Sequence, residues 1–159
     1  MKTELYLSLG SNQGNRKQNI EDAIKMLDER LDVKYSRMSD IIETEPWGFE
    51  SEDKFLNCAV MYEIEKNDTA TEQAFDILEI CKDIESKLGR NWKPMYNGNG
   101  ERVYHSRPID IDILLLGELR INSHHLSIPH LLMKERDFVM VPLRQIATGN
   151  IREMHPELF

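Results

Sequence analysis

The chain has 159 residues, of which 40% are apolar and 30% charged, and this describes one soluble domain with a core of its own. A formal net charge of −8 argues against broad nucleic-acid binding, while leaving room for a local cationic patch that faces phosphate. No apolar run approaches the ~20 residues of a membrane span, and MKTELYLSLGSN at the N-terminus has too short an apolar stretch for a signal peptide.

Residues 4–9, ELYLSL, alternate in polarity and predict a strand. GSNQGN, 10–15, turns the chain, with Ser11, Asn12 or Asn15 to cap a helix. It lacks both the GxxxxGK[ST] and the GxGxxG forms of a phosphate-cradling loop. Ile20, Ala23, Ile24, Leu27 and Leu31 fall at helical spacing, so the helix starts near Arg16. Val33 to Thr44 predicts a weaker strand, and TEPWGFESEDK, 44–54, a loop. Leu56, Cys58, Val60 and Tyr62 alternate in a second clear strand, Phe55 to Ile64. Ala74, Phe75, Leu78, Cys81, Ile84 and Leu88 mark a second helix, starting near Thr69 with Asp68 as its cap. Glu85 near its end reads as an exposed helical acid.

Residues 89–108, GRNWKPMYNGNGERVYHSRP, show no periodicity and hold three glycines and two prolines. Structureless stretches of this length are often functional lids. A strand comes next over 109–116, and the last forty or so residues predict short helical turns and loops broken by Pro129 and Pro142. The resulting order is β-α-β-β-α-β with a C-terminal extension. That is the ferredoxin-like order, an α+β fold with an antiparallel sheet and both helices on one face. The opposite face must be covered by the tail, or be a site. Cys58 and Cys81 have no CxxC partner, and read as packed thiols of a reduced, cytoplasmic protein.

The chemistry centres on RPIDIDILLLG, 107–117. Asp110 and Asp112 interrupt an apolar strand, and share a face with Cα atoms about 6.6 Å apart. Two carboxylates so placed suit Mg²⁺, which takes one or two protein oxygens together with substrate phosphates. Spacing alone leaves an ordinary solvated pair equally open. The preceding segment carries Arg90, Lys93, Arg102 and Arg107 against one acid, Glu101, and suits a polyphosphate clamped bidentately. Phe55 and Asn57 point the same way on their strand, an aromatic and an amide that could seat a flat heterocycle. Core packing is the competing account of Phe55, Trp47, Tyr104 and Phe138. His124 and His125 read as surface residues.

LGSNQGN (9–15), ETEPWGF (43–49), FLNCAV (55–60), Glu85 with Gly89-Arg90, RPIDIDILLLG (107–117) and SIPHLLMKERDFVMVPL (127–143) occur in this order along nearly the whole chain. Together they resemble the 6-hydroxymethyl-7,8-dihydropterin pyrophosphokinases of folate biosynthesis. The resemblance implies a single pyrophosphokinase domain over 1–159. It implies transfer of pyrophosphate from MgATP to the pterin hydroxymethyl group, with release of AMP. Asp110 and Asp112 would hold two Mg²⁺ ions. Arg90 and Arg107 would grip the triphosphate as catalytic residues, and Glu85, Ile113, His130 and Arg136 would join them in binding ATP. The pterin would stack between Phe55 and Phe138, with Asn57 and the backbone near Thr44 reading its edge and Trp47 and Gly48 lining the pocket.

The chain departs from the family pattern before Arg107, where Val103-Tyr104-His105-Ser106 stand in place of Trp-Gly-Pro, and at Glu45, often proline. Small molecules are the expected partners, with neither nucleic acid nor membrane, and a monomer is favoured. Rival readings are a Mg-dependent nucleotidyltransferase or nucleotide hydrolase, and a ferredoxin-like ligand-binding module.

Overall fold

The computed structural model describes residues 1–45, 54–89, 95–96, 102–103 and 108–159. In chain order the strands and helices are β1 (Lys2–Ser11), α1 (Arg16–Leu31), β2 (Arg37–Met38), β3 (Ile42–Thr44), β4 (Phe55–Glu65) and α2 (Ala70–Lys87). They continue as β5 (Met95–Tyr96), β6 (Arg102–Val103), β7 (Asp110–Leu116), β8 (Ile121–Asn122), β9 (Ser127–Ile128), α3 (Asp137–Ile146) and α4 (Gly149–Met154).

The main sheet runs β2-β4-β1-β7, with β3 also paired to β4, and every pairing is antiparallel. β1 and β4 are its long central strands, paired from Lys2↔Glu65 to Ser11↔Leu56. The weak strand expected over 33–44 is two short pieces along the β4 edge. Between them Ser39 substitutes a side chain for the ladder: its Oγ accepts the Ala59 N–H at 2.8 Å.

Helix α1 starts where the turn chemistry places it. Asn15 is the N-cap, its Oδ1 accepting the Gln18 N–H at 3.1 Å, and Gly14 takes the positive φ of +68° that the turn requires. Helix α2 begins after Thr69, which makes no side-chain capping bond, so the expected Asp68 cap is corrected. Thr69 is exposed, and a missing side-chain cap costs little at a helix end open to solvent.

Both sheet faces carry a core. Leu5, Leu7 and Leu9 of β1, Cys58, Val60 and Tyr62 of β4, and Ile111, Ile113 and Leu116 of β7 pack beneath α1 and α2. Tyr6, Ala59, Met61, Leu114 and Leu115 pack on the other face against Val139, Met140 and Leu143 of α3 and Ile151 of α4. Each fully buried Leu, Ile, Val or Met among them contributes ~1.5–3 kcal/mol. Pro142 lies inside α3 rather than ending it. It removes the bond to the Phe138 carbonyl, and its ring is buried, so packing outweighs the local preference. The aperiodic segment 89–108 is corrected in part, since β5 and β6 pair as a short antiparallel ladder within it. Among the described residues no helix is long and apolar enough to cross a membrane.

Candidate active site

A bulge in β7 sorts its residues between the two faces. The β1–β7 register runs Gly10↔Asp110, Ser8↔Asp112 and Leu7↔Ile113, then shifts so that Tyr6 opposes Leu115. Leu114 is the extra residue. Asp110, Asp112, Leu114 and Leu115 therefore share the face away from α1 and α2, while Ile113 and Leu116 return to the helix side. α3 and α4 cover the half of that face that holds the leucines. The half that holds the aspartates is partly open, with the Asp112 side chain 35% exposed.

The sheet assembles the rest of the site across this open half. Directly opposed residues of an antiparallel ladder present side chains on one face. Asn57, Gly10 and Asp110 form one such row across β4, β1 and β7, and Ala59, Ser8 and Asp112 the next. Asn57 is 4% exposed, and its Nδ2 donates to Thr44 Oγ1 at 2.6 Å. Thr44 opposes Phe55 in the β3–β4 ladder, so the two expected pterin-edge residues and the ring are neighbours. Gly10 is the floor. A Cβ there would lie 2.8 Å from Asn57 Oδ1 and 3.5 Å from the Phe55 ring.

His130 enters from the segment after β9. Its N–H donates to the Leu114 carbonyl at 3.1 Å, and its Nε2 lies 3.8 Å from Asp112 Oδ1. Burial, then the Arg136 charge, push its pKa below the ordinary histidine range. Neutral imidazole presents one donor and one acceptor. Arg136 lies 5.8 Å over the Phe138 ring, which is half-buried in the first turn of α3. α3 packs across β4, the strand that carries Phe55 and Asn57.

Glu85 differs from its expected exposure. It is 2% exposed, and its Oε2 accepts the Ile111 N–H at 2.9 Å. β7 is an edge strand whose outward N–H groups need acceptors, and α2 supplies one here. Burial, and then the charges of Glu85 and Asp112, push the pKa of the Cys81 thiol up. Ile113 is 2% exposed, its side chain within the helix-side core, so any nucleotide contact at this position falls to its backbone. Trp47, Gly48, Arg90, Arg107, Trp92 and Tyr104 lie outside the described residues.

The carboxylate pair fits a hard divalent cation. Asp110 and Asp112 offer oxygen donors on one face and stop short of a full shell, since no group of three or more His, Cys, Asp or Glu side chains could hold a metal ion among the described residues. Magnesium sites completed by substrate phosphates have this composition. Ser8 and Gly10 were not picked out as site residues by motif. The signal was available in Gly10, since a glycine inside a strand marks close approach of another group.

Residues 6–148 match the family described as 7,8-dihydro-6-hydroxymethylpterin-pyrophosphokinase (HPPK). The chain belongs to this family. A Porphyromonas gingivalis relative, named 2-amino-4-hydroxy-6-hydroxymethyldihydropteridine pyrophosphokinase, is 44% identical over 154 residues, 96% of this chain and 94% of the relative. The Dictyostelium discoideum Folic acid synthesis protein FOL1 is 36% identical over 154 residues, 97% of this chain and 20% of that longer protein. A crystal structure described as HPPK-DHPS in complex with substrates aligns with a TM-score of 0.63 at 17% identity, covering 99% of this chain and 43% of that one. At that identity it speaks to the HPPK fold alone. The sequence resemblance and the family therefore agree over most of the chain.

Proposed function

We infer that the chain is an ATP-dependent pyrophosphokinase of folate biosynthesis, transferring pyrophosphate from MgATP to 6-hydroxymethyl-7,8-dihydropterin. The products are the pterin diphosphate and AMP. The observation that supports this is the shared open half-face, where the row Asn57–Gly10–Asp110 brings the Asn57 amide to the same face as the carboxylate pair.

The pterin hydroxymethyl oxygen attacks the β-phosphorus of ATP. A new O–P bond forms as the alcohol loses its proton to the surrounding water, the bond from the β-phosphorus to the α,β-bridging oxygen breaks, and AMP leaves with that oxygen. Phe55 and Phe138 hold the pterin ring. Asn57, oriented by Thr44, and the loop bearing Trp47 and Gly48 read its edge. Placing the alcohol in line with the phosphorus supplies much of the rate. Asp110 and Asp112 would hold Mg²⁺, two ions in this proposal, and the metal would supply Lewis-acid neutralisation of the triphosphate charge. Arg90 and Arg107 grip the triphosphate. His130 and Arg136 contact its phosphates and nucleotide from the Asp112 side.

The strand order, with α1 and α2 on one face and α3 and α4 on the other, supports a ferredoxin-like topology with a C-terminal extension, and 1–159 as a single domain. Buried free cysteines suit a reducing compartment such as the cytoplasm. The acidic balance suits small-molecule partners over nucleic acid, and we take the working unit to be a monomer. The deciding experiment incubates the protein with MgATP and the hydroxymethyl pterin. AMP formed in equal amount to pterin diphosphate is expected. ADP, or AMP formed without need of the pterin, refutes the assignment.

A further inference from the structure

The peptide that joins the two site carboxylates has its own anchor. β7 pairs with β1 on one side only, so alternate N–H groups of β7 point away from the sheet. The Ile111 N–H, between Asp110 and Asp112, is one of these, and it donates to Glu85 Oε2 at 2.9 Å. Two local preferences are broken to make this bond. Glu85 is a carboxylate left 2% exposed, and it stands in the last turn of α2, where the helix dipole disfavours an acid. Conflicts of this kind concentrate where a site needs them.

We propose that Glu85 is a positioning residue for pyrophosphoryl transfer, pinning the Ile111 peptide and thereby fixing the spacing and facing of Asp110 and Asp112. This role rests on the assignment of Asp110 and Asp112 as ligands of the divalent cation. Rotation of the Ile111 peptide swings both carboxylates, and a metal constellation tolerates only about 0.5 Å and 10–20° of drift. Groups that orient metal ligands typically change metal affinity by about 10- to 100-fold when lost.

Two conservative substitutions separate reach from charge. Glu85→Asp keeps the charge and withdraws the acceptor by one methylene. Glu85→Gln keeps the reach and an amide oxygen, and removes the charge. Mn²⁺ affinity is measured by electron paramagnetic resonance on the full chain with a non-hydrolysable ATP analogue, and kcat and pterin KM by AMP release. Circular dichroism confirms that each variant is folded. Glu85→Asp should weaken Mn²⁺ binding by about 10-fold or more and lower kcat, with pterin KM within about twofold. Glu85→Gln, which keeps an acceptor at the same reach, should lose less Mn²⁺ affinity and less kcat than Glu85→Asp. Wild-type Mn²⁺ affinity in Glu85→Asp, or an equal loss in Glu85→Gln, overturns the proposal. Asp112→Asn is the control: if it keeps Mn²⁺ affinity, the metal assignment fails and takes the role of Glu85 with it.

Discussion

Gly10→Ala is a small change with a large expected effect. Gly10 lies outside the left-handed region, so alanine there meets no backbone strain and the cost is steric. The new Cβ would sit 2.8 Å from Asn57 Oδ1, well inside contact distance. Asn57 cannot yield freely, because it is 4% exposed and bonded to Thr44 Oγ1 at 2.6 Å. Either the amide rotates and forfeits Thr44, or β1 and β4 part locally. Overpacking of this sort costs ~1–3 kcal/mol, and a lost buried hydrogen bond adds ~1 kcal/mol. A destabilisation of ~2–4 kcal/mol is expected, read as a lower urea midpoint at unchanged slope. Displacing Asn57 should also weaken pterin binding by about tenfold or more in a fluorescence titration, while nucleotide affinity changes by less than about threefold. The decisive control is the same substitution in an Asn57→Ala background. With Oδ1 gone the clash is relieved, and Gly10→Ala should cost less than ~1 kcal/mol. An equal cost in both backgrounds would refute the packing explanation.

Asp110→Ala and Asp112→Ala should each remove ~3 kcal/mol or more of transition-state stabilisation, about 100-fold in kcat/KM; near-normal turnover in both would end the metal-site assignment. Tyr6, fully buried, has its pKa pushed up to about 12, first by burial, with its OH bonded to Glu4 Oε1 at 2.8 Å. Its neutral form is thus favoured by folding, so stability is intact below the ordinary tyrosine pKa and falls as pH rises from about 10 towards 12. Tyr6→Phe should flatten part of that alkaline loss in urea titrations, leaving the share due to Tyr62, also raised by burial. Burial pushes Cys58 up to about 12 and raises Cys81 as well, so a thiol reagent at pH 8 should label neither cysteine in the native protein and both in urea. Rapid native labelling would show that the helix-side core opens.

Periodicity revealed the long elements because one physical term dominates them. α1 buries Ile20, Ala23, Ile24 and Leu27, four of the residues whose spacing marks it, and β4 turns Cys58, Val60 and Tyr62 to the helix face, although its other face is buried as well. The Asp110–Asp112 pair was legible for the same reason, since two residues apart on a strand means one face. What sequence hid depends on partners far along the chain. The bulge at Leu114 arises from register with β1, which no local pattern encodes. Glu85 looked like any surface acid, because its burial is set by β7 lying 26 positions away. Pro142 has the local signature of a breaker, and its tolerance within α3 comes from packing on the sheet. Gly10 stood within a recognised motif, but the close approach of Asn57 that accounts for it emerges only when β4 is laid alongside.

The inserted residue in β7 has a mechanical result. Leu114, displaced from the β1 ladder, turns its carbonyl to the N–H of His130. The backbone that carries the imidazole is thereby tied to the very strand that bears the two acids. Acids and imidazole then share one support, so a slip in the β7 register would displace all three side chains together.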